Sequence, residues 1–173
     1  MITISVENFN TFSQRFYDSV IALVQIHQLT CKCGHSACLT IHGYYYRNVQ
    51  APERKVMIRI CRVKCSECGK THALLLSSFV PYSQVPVGEQ QEIAVSVEDG
   101  QPIREIYDDH PHIDDNCIKS IIRRYKKHWK ERLVSESITL SPLPGLIRHC
   151  FTLYSAQFMQ IRSTSNTLFS LPT

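Results

Sequence analysis

Two cysteine pairs, Cys31-Lys32-Cys33 and Cys65-Ser66-Glu67-Cys68, separated by 31 residues, constrain this chain more than any other feature. A tetrahedral metal ion asks for four soft donors, and two tight turns carrying two thiolates each supply them without a large apolar core. Gly34 follows the first pair and Gly69 the second. A turn that aims backbone N–H groups at sulfur needs a positive φ there, which glycine permits. The Cys-x-x-Cys-Gly-Lys half is a strong knuckle signal, and the Cys-x-Cys half is a tighter fit. Cys31, Cys33, Cys65 and Cys68 are therefore the expected ligands of one Zn2+, with Cys38 as the main rival to Cys31 and His35 a more distant one. A closed four-thiolate site keeps no position for water, so the ion is expected to be structural, with its binding energy spent on folding.

The other cysteines fit this frame. Of the eight cysteines, Cys61 lies in an alternating apolar stretch and reads as a small core filler, while Cys117 and Cys150 stand alone. His42 and His72 read as surface or packed histidines, since four cysteines already complete a tetrahedron. No βαβ pattern surrounds the Cys-x-x-Cys, which argues against a redox pair. No apolar run approaches the ~20 residues a membrane-spanning helix requires. Met1 to Thr11 lacks the charged start, apolar centre and small-residue cleavage site of a secretory signal. A cytoplasmic location without a membrane partner is expected, and reduced, clustered cysteines are more often metal ligands there than disulfides.

Periodicity then divides the chain. Phe9, Phe12, Phe16, Val20, Leu23, Val24 and His27 recur at helical spacing, which predicts an amphipathic helix over 8–28, capped by Asn8 or Asn10. Leu39 to Val49 and Val56 to Val63 read as two strands joined by Gln50-Ala51-Pro52-Glu53, with Val56, Ile58 and Ile60 on one face and Met57, Arg59 and Cys61 on the other. A third strand is expected at Thr71 to Leu76, and Pro81 and Pro86 mark a linker over 79–88. Helices follow at Glu89 to Glu98, Pro102 to Asp109 and Asp115 to about Ser135. The expected class is α+β, with a zinc-ribbon-like β-module preceded by a helix and followed by a helix-turn-helix-like region. The corresponding segments are 1–30, 31–80, 81–136 and an apolar tail over 137–173.

Charge is unevenly spread along a chain of net charge +4. Glu89 to Asp115 is acidic apart from Arg104, whereas Lys119 to Arg132 holds seven Lys or Arg residues against Glu131. On the last helix Ile118, Ile121, Ile122, Tyr125, Trp129 and Leu133 form one apolar face, and the rest is almost wholly cationic. Like charge without acidic partners at i±4 is costly unless a polyanion faces it. A short helix, a break at His110-Pro111-His112 and a longer basic helix form the layout of a helix-turn-helix. On that reading double-stranded DNA is the partner. Arg123, Arg124, Lys126, Lys127 and Lys130 contact phosphate, while Asn116, Lys119 and Ser120 lie nearest the base edges.

No phosphate-binding glycine loop and no nucleophile motif is present. Asp108, Asp109, Asp114 and Asp115 could gather at a metal, as a nuclease would need, but acids solvated at helix ends explain them more simply. No enzyme activity is expected.

The segments C-K-C-G-H-S-A-C-L-T-I-H-G-Y-Y-Y-R (31–47), R-V-K-C-S-E-C-G-K-T-H-A-L-L (62–75) and V-P-Y-S-Q (80–84) resemble a family of small bacterial mobile-element proteins. They also look like the N-terminal zinc-finger domain of insertion-sequence transposases, where Cys-Gly, an H-G-Y-x-x-R strand and R-x-x-C-x-x-C recur in that order. I-I-R-R-Y-K-K-H-W-K-E-R-L (121–133) and Q-F-M-Q-I-R (157–162) extend the likeness over most of the chain. Related sequences commonly begin with Cys-x-x-Cys where this one has Cys31-Lys32-Cys33, so Cys31 is the ligand most open to replacement. The resemblance implies a DNA-recognition or accessory subunit for transposition, partnered by a separately encoded DDE transposase or integrase. A zinc-stabilised protein-interaction subunit or transcriptional regulator is the alternative.

Overall fold

The computed structural model describes residues 1–6 and 10–129. Over these residues the chain is mixed α+β, with a four-stranded sheet and four α-helices. It divides into two units, residues 1–79 and residues 80 onward.

In the first unit the elements run β1 (Ile2–Ile4), α1 (Gln14–Leu23), a 3-10 turn (Ile26–Gln28), β2 (Leu39–Gln50), β3 (Lys55–Cys65) and β4 (Thr71–Leu76). The sheet order is β1-β4-β3-β2, with β1 parallel to β4 and the other pairs antiparallel. The strand bounds follow the β-branched, alternating pattern. Ile58 and Ile60 are buried while Met57 and Arg59 face outward. The β2–β3 register slips between Ile41 and Gly43, where Gly43 takes a φ of 150°. Such a bulge turns the lower hairpin without breaking it.

The N-terminal segment differs from expectation in two ways. The helix is shorter than 8–28: it starts at Gln14 and is capped by Ser13, whose Oγ accepts the Phe16 N–H at 3.1 Å. Ser13 is extended, as an N-cap should be. Asn10 is therefore not the cap, and Asn8 lies outside the described residues. Leu23, assigned to the apolar stripe, is 83% exposed. In addition, Ile2 to Ile4 form a strand that pairs with β4.

Helix α1 is tied into that sheet by polar atoms as well as apolar ones. The β3–β4 ladder covers only Arg62 to Lys64 against Thr71 to Ala73, leaving the lower edge of β3 unpaired by strand. Gln14 closes part of it by accepting the Arg59 N–H at 2.6 Å and donating to the Arg59 carbonyl at 3.3 Å. Tyr17 bridges the two strands next to it, since its hydroxyl accepts the Cys61 N–H at 2.8 Å and donates to the Leu74 carbonyl at 2.9 Å. Buried backbone groups left unpaired are expensive, so two side chains here substitute for a strand. This also explains why Cys61 is buried rather than facing outward with Met57 and Arg59. The core beneath contains Tyr17, Leu39, Val49, Ile58, Ile60, Val63, Leu74 to Leu76 and Phe79.

The second unit holds α2 (Val87–Glu98), α3 (Ile103–Asp109), α4 (Asp115–Arg124) and a π-helical turn (Tyr125–Trp129). The expected long helix thus changes geometry at Tyr125, and its continuation toward Ser135 lies outside the described residues, as does the tail. Asp114 caps α4 by accepting the Asn116 N–H at 2.8 Å. Val80, Val85 and Val87 are buried, so the stretch expected as a linker is packed chain. Ile93, Ile106, Ile118 and Ile121 form a fully buried apolar set. Gln90, itself completely buried, donates to Ser83 Oγ and the Val85 carbonyl and accepts from Arg124.

Candidate metal centre

The β2–β3 hairpin returns the second cysteine pair to the first. Each pair sits on a small turn closed by two backbone bonds. In the first, the Cys31 N–H reaches the His35 carbonyl at 2.9 Å and the Gly34 N–H reaches the Cys31 carbonyl at 2.9 Å. In the second, the Cys65 N–H reaches the Lys70 carbonyl at 3.0 Å and the Gly69 N–H reaches the Cys65 carbonyl at 3.0 Å. The Cys-x-Cys turn is one residue shorter than the Cys-x-x-Cys turn, and its closing bonds shorten by one residue to match. Gly34 and Gly69 have φ of 91° and 67°, and a Cβ at either would meet nothing within 4 Å. Backbone conformation, not space, is what calls for glycine there.

The structure brings together Cys31, Cys33, Cys65 and Cys68, with all four sulfurs within 4.8 Å of one another. Cys31 and Cys68 Sγ are 3.7 Å apart, and Cys33 and Cys65 Sγ 3.8 Å. A metal–sulfur bond of ~2.3 Å places the corners of a tetrahedron ~3.8 Å apart, whereas a disulfide needs ~2.05 Å. The four thiols can therefore hold a metal ion with little movement. Cys61 stays outside the cluster.

Cys38 is buried beside the cluster but does not join it. Its thiol donates to the His35 carbonyl at 3.1 Å, and its Sγ accepts from the Cys65 thiol at 3.4 Å. Two histidines instead place ring nitrogens against candidate ligands. His35 Nδ1 is 3.4 Å from Cys33 Sγ, and His72 Nε2 is 3.2 Å from Cys31 Sγ. His72, expected as an ordinary packed histidine, is thus a direct neighbour of the sulfur set, and His42 is exposed. Four thiolates around a dication leave net negative charge, and donors aimed at the sulfurs are what a metal-binding shell requires.

The electrostatics agree with that arrangement. The His35 backbone N–H, then its ring, draw the Cys33 thiol down to about 6. The Cys68 N–H, 3.4 Å from Cys65 Sγ, lowers Cys65 despite its burial. The Cys33 backbone N–H pulls Cys31 down, but burial and the neighbouring thiols outweigh it and push Cys31 up to about 12. Sulfurs this close cannot all ionise unaided, and a dication at their centre removes the conflict.

Residues 30–125 match the domain of unknown function DUF6431 and cover more than half of the chain. The chain belongs to this family. The DUF6431 region begins one residue before the first cysteine and ends at Tyr125, so it includes both knuckles and helices α2, α3 and α4. No curated protein and no solved structure matches the chain. Among the described residues no helix is long and apolar enough to cross a membrane.

The residues singled out on the basic helix fall into two groups. Asn116, Lys119, Ser120, Arg123, Lys126 and Lys127 are exposed, with the Lys119 ammonium 5.9 Å from the Tyr107 ring centre. Arg124 instead turns inward and donates to Gln90 at 3.0 Å, so it ties α4 to α2. Lys130 lies outside the described residues. Ile118, Ile121, Ile122 and Tyr125 are buried, as the apolar stripe requires.

A second cluster of metal-ligating side chains escaped the sequence reading. Glu89, His110 and His112 place one donor atom each within 4.8 Å of the others. The only available signal was His-x-His, which reads as a helix break, and its carboxylate partner lies 21 residues upstream. Burial raises the Glu89 carboxyl, but the His110 hydrogen bond and the His112 and His110 charges reverse this and hold it below the usual range.

Proposed function

We propose that this DUF6431 chain is a zinc-stabilised DNA-binding protein. It would act as the recognition or accessory subunit of a mobile genetic element. On this reading residues 31–79 form a zinc-ribbon-like module, with Cys31, Cys33, Cys65 and Cys68 as its four zinc ligands. A closed four-thiolate shell gives the ion a purely structural task, fixing the two knuckles at the end of the hairpin.

The observation that carries the DNA-binding reading is the outer face of α4 and the turn after it. Lys119, Arg123, Lys126 and Lys127 are exposed there, and no acidic residue lies between Asn116 and Trp129. Three helices with the last one cationic outside and apolar inside fit a helix-turn-helix whose α4 enters the major groove. Asp114 and Asp115 at the start of α4 favour the helix dipole. Asn116, Lys119 and Ser120 would sit nearest the bases, and Arg123, Lys126 and Lys127 against phosphates. Arg124 supports the helix from within. The sequence resemblance to transposase zinc-finger domains supplies the mobile-element context and makes a separately encoded DDE transposase the natural partner.

Titration of labelled duplex DNA over a range of salt concentrations tests this. Each phosphate contact contributes a slope of about −0.9 to log K against log[salt]. The double variant Arg123→Glu, Lys127→Glu should lose at least tenfold in affinity and flatten that slope by about 2, with metal content unchanged. Equal binding by both proteins would remove α4 as the interface, and salt-independent binding would point to a partner other than a polyanion.

A further inference from the structure

We propose that Glu89, His110 and His112 form a second metal site, taking a divalent first-row transition ion independently of the cysteines. Glu89 stands in the first turn of α2, His110 at the C-terminal cap of α3, and His112 two residues beyond in the loop leading to α4. Glu89 Oε2 lies 3.0 Å from His110 Nδ1 and 3.3 Å from His112 Nε2. With metal–donor bonds of ~2.1 Å, neighbouring donors are ~3.0 Å apart on an octahedron and ~3.4 Å apart on a tetrahedron. Both observed separations fall in that interval, and the third pair is within 4.8 Å.

Glu89 Oε2 is in ion-pair range of both histidines, but only His110 completes a hydrogen bond to it. The His112 Nε2 is buried and has no hydrogen-bond partner among the described residues, although it lies close to the same oxygen. A buried ring nitrogen aimed at a carboxylate oxygen without bonding to it has an unmet need, and a shared cation meets it. Glu89 and His110 are 8% and 7% exposed, so the site is built into the helical unit rather than scattered on its surface. Two imidazoles and one carboxylate suit zinc, cobalt or iron(II) rather than magnesium or calcium. Three protein donors leave at least one coordination position for water or another oxygen ligand. That distinguishes this site from the closed four-thiolate one.

Zinc-loaded, tag-free full-length protein tests the assignment by metal analysis and zinc X-ray absorption. The expected result is two equivalents of zinc per chain, with a nitrogen/oxygen shell near 2.1 Å beside the sulfur shell near 2.3 Å. His112→Ala should drop the content by one equivalent and leave sulfur alone around the remainder, with its circular dichroism unchanged. One equivalent with sulfur ligands only, or two equivalents retained in His112→Ala, would overturn the proposal. The wild-type spectrum decides even where the variant fails to fold. A nitrogen/oxygen shell without sulfur would uphold this site and reject the cysteine one.

Discussion

In residues 1–79 four sulfurs converge on one point, whereas residues 80–129 centre on buried isoleucines flanked by polar bonds. The first unit places Cys31 and Cys65 in its core and Cys33 and Cys68 beside them, so four sulfurs share a volume that could hold a metal ion. The second unit fills its centre with Ile93, Ile106, Ile118 and Ile121 and satisfies Gln90 through Ser83, Val85 and Arg124. Metal ligation by the four cysteines would add a constraint at the hairpin end of the first unit's sheet. In the second unit four fully buried isoleucines supply an apolar core.

That contrast can be broken most forcefully at Cys65. Cys65→Ser should abolish zinc binding at the thiolate site and unfold residues 1–79, an effect of about 10 kcal/mol in structural zinc modules. Far-ultraviolet circular dichroism with metal analysis would show β-signal loss while helical signal persists; a zinc-free variant with intact β-structure would erase the distinction. Ile121→Ala is the counterpart in the second unit. Truncating a fully buried isoleucine should cost about 2–5 kcal/mol, read as a lower thermal midpoint of the helical transition with unchanged thiolate-site metal. Tyr17→Phe makes the smallest change, removing one oxygen. It orphans the Cys61 N–H and the Leu74 carbonyl, and denaturant unfolding of the zinc-loaded protein should register a loss of about 2 kcal/mol. No loss would mean that α1 is held by its apolar contacts alone.

How much of this was readable beforehand depended on whether a signal was local. Strands β2, β3 and β4 follow from alternation and β-branching, and the knuckles from paired cysteines with glycines, because each signal lies within a few residues. Strand β1 also alternates, as Ile2, Thr3 and Ile4, but three residues give too short a period, and its parallel pairing with β4 spans about seventy positions. The start of α1 differs from expectation because Phe12 continues the helical period before the helix begins, while Ser13 carries the cap. Arg124 and Lys127 look alike in sequence, yet Gln90 draws only Arg124 inward. The Glu89–His110–His112 cluster was invisible for the same reason: only the fold joins a helix start to a later loop.

The central claim is that a single ion in the four-cysteine site organises the first unit and not the second. Site-resolved amide hydrogen exchange on the full chain, with zinc and after its removal, measures this directly. The account predicts that β3, β4 and the two knuckles lose protection when zinc leaves, while the cores of α2 and α4 keep theirs. Equal protection of β3 and β4 in both conditions would contradict it.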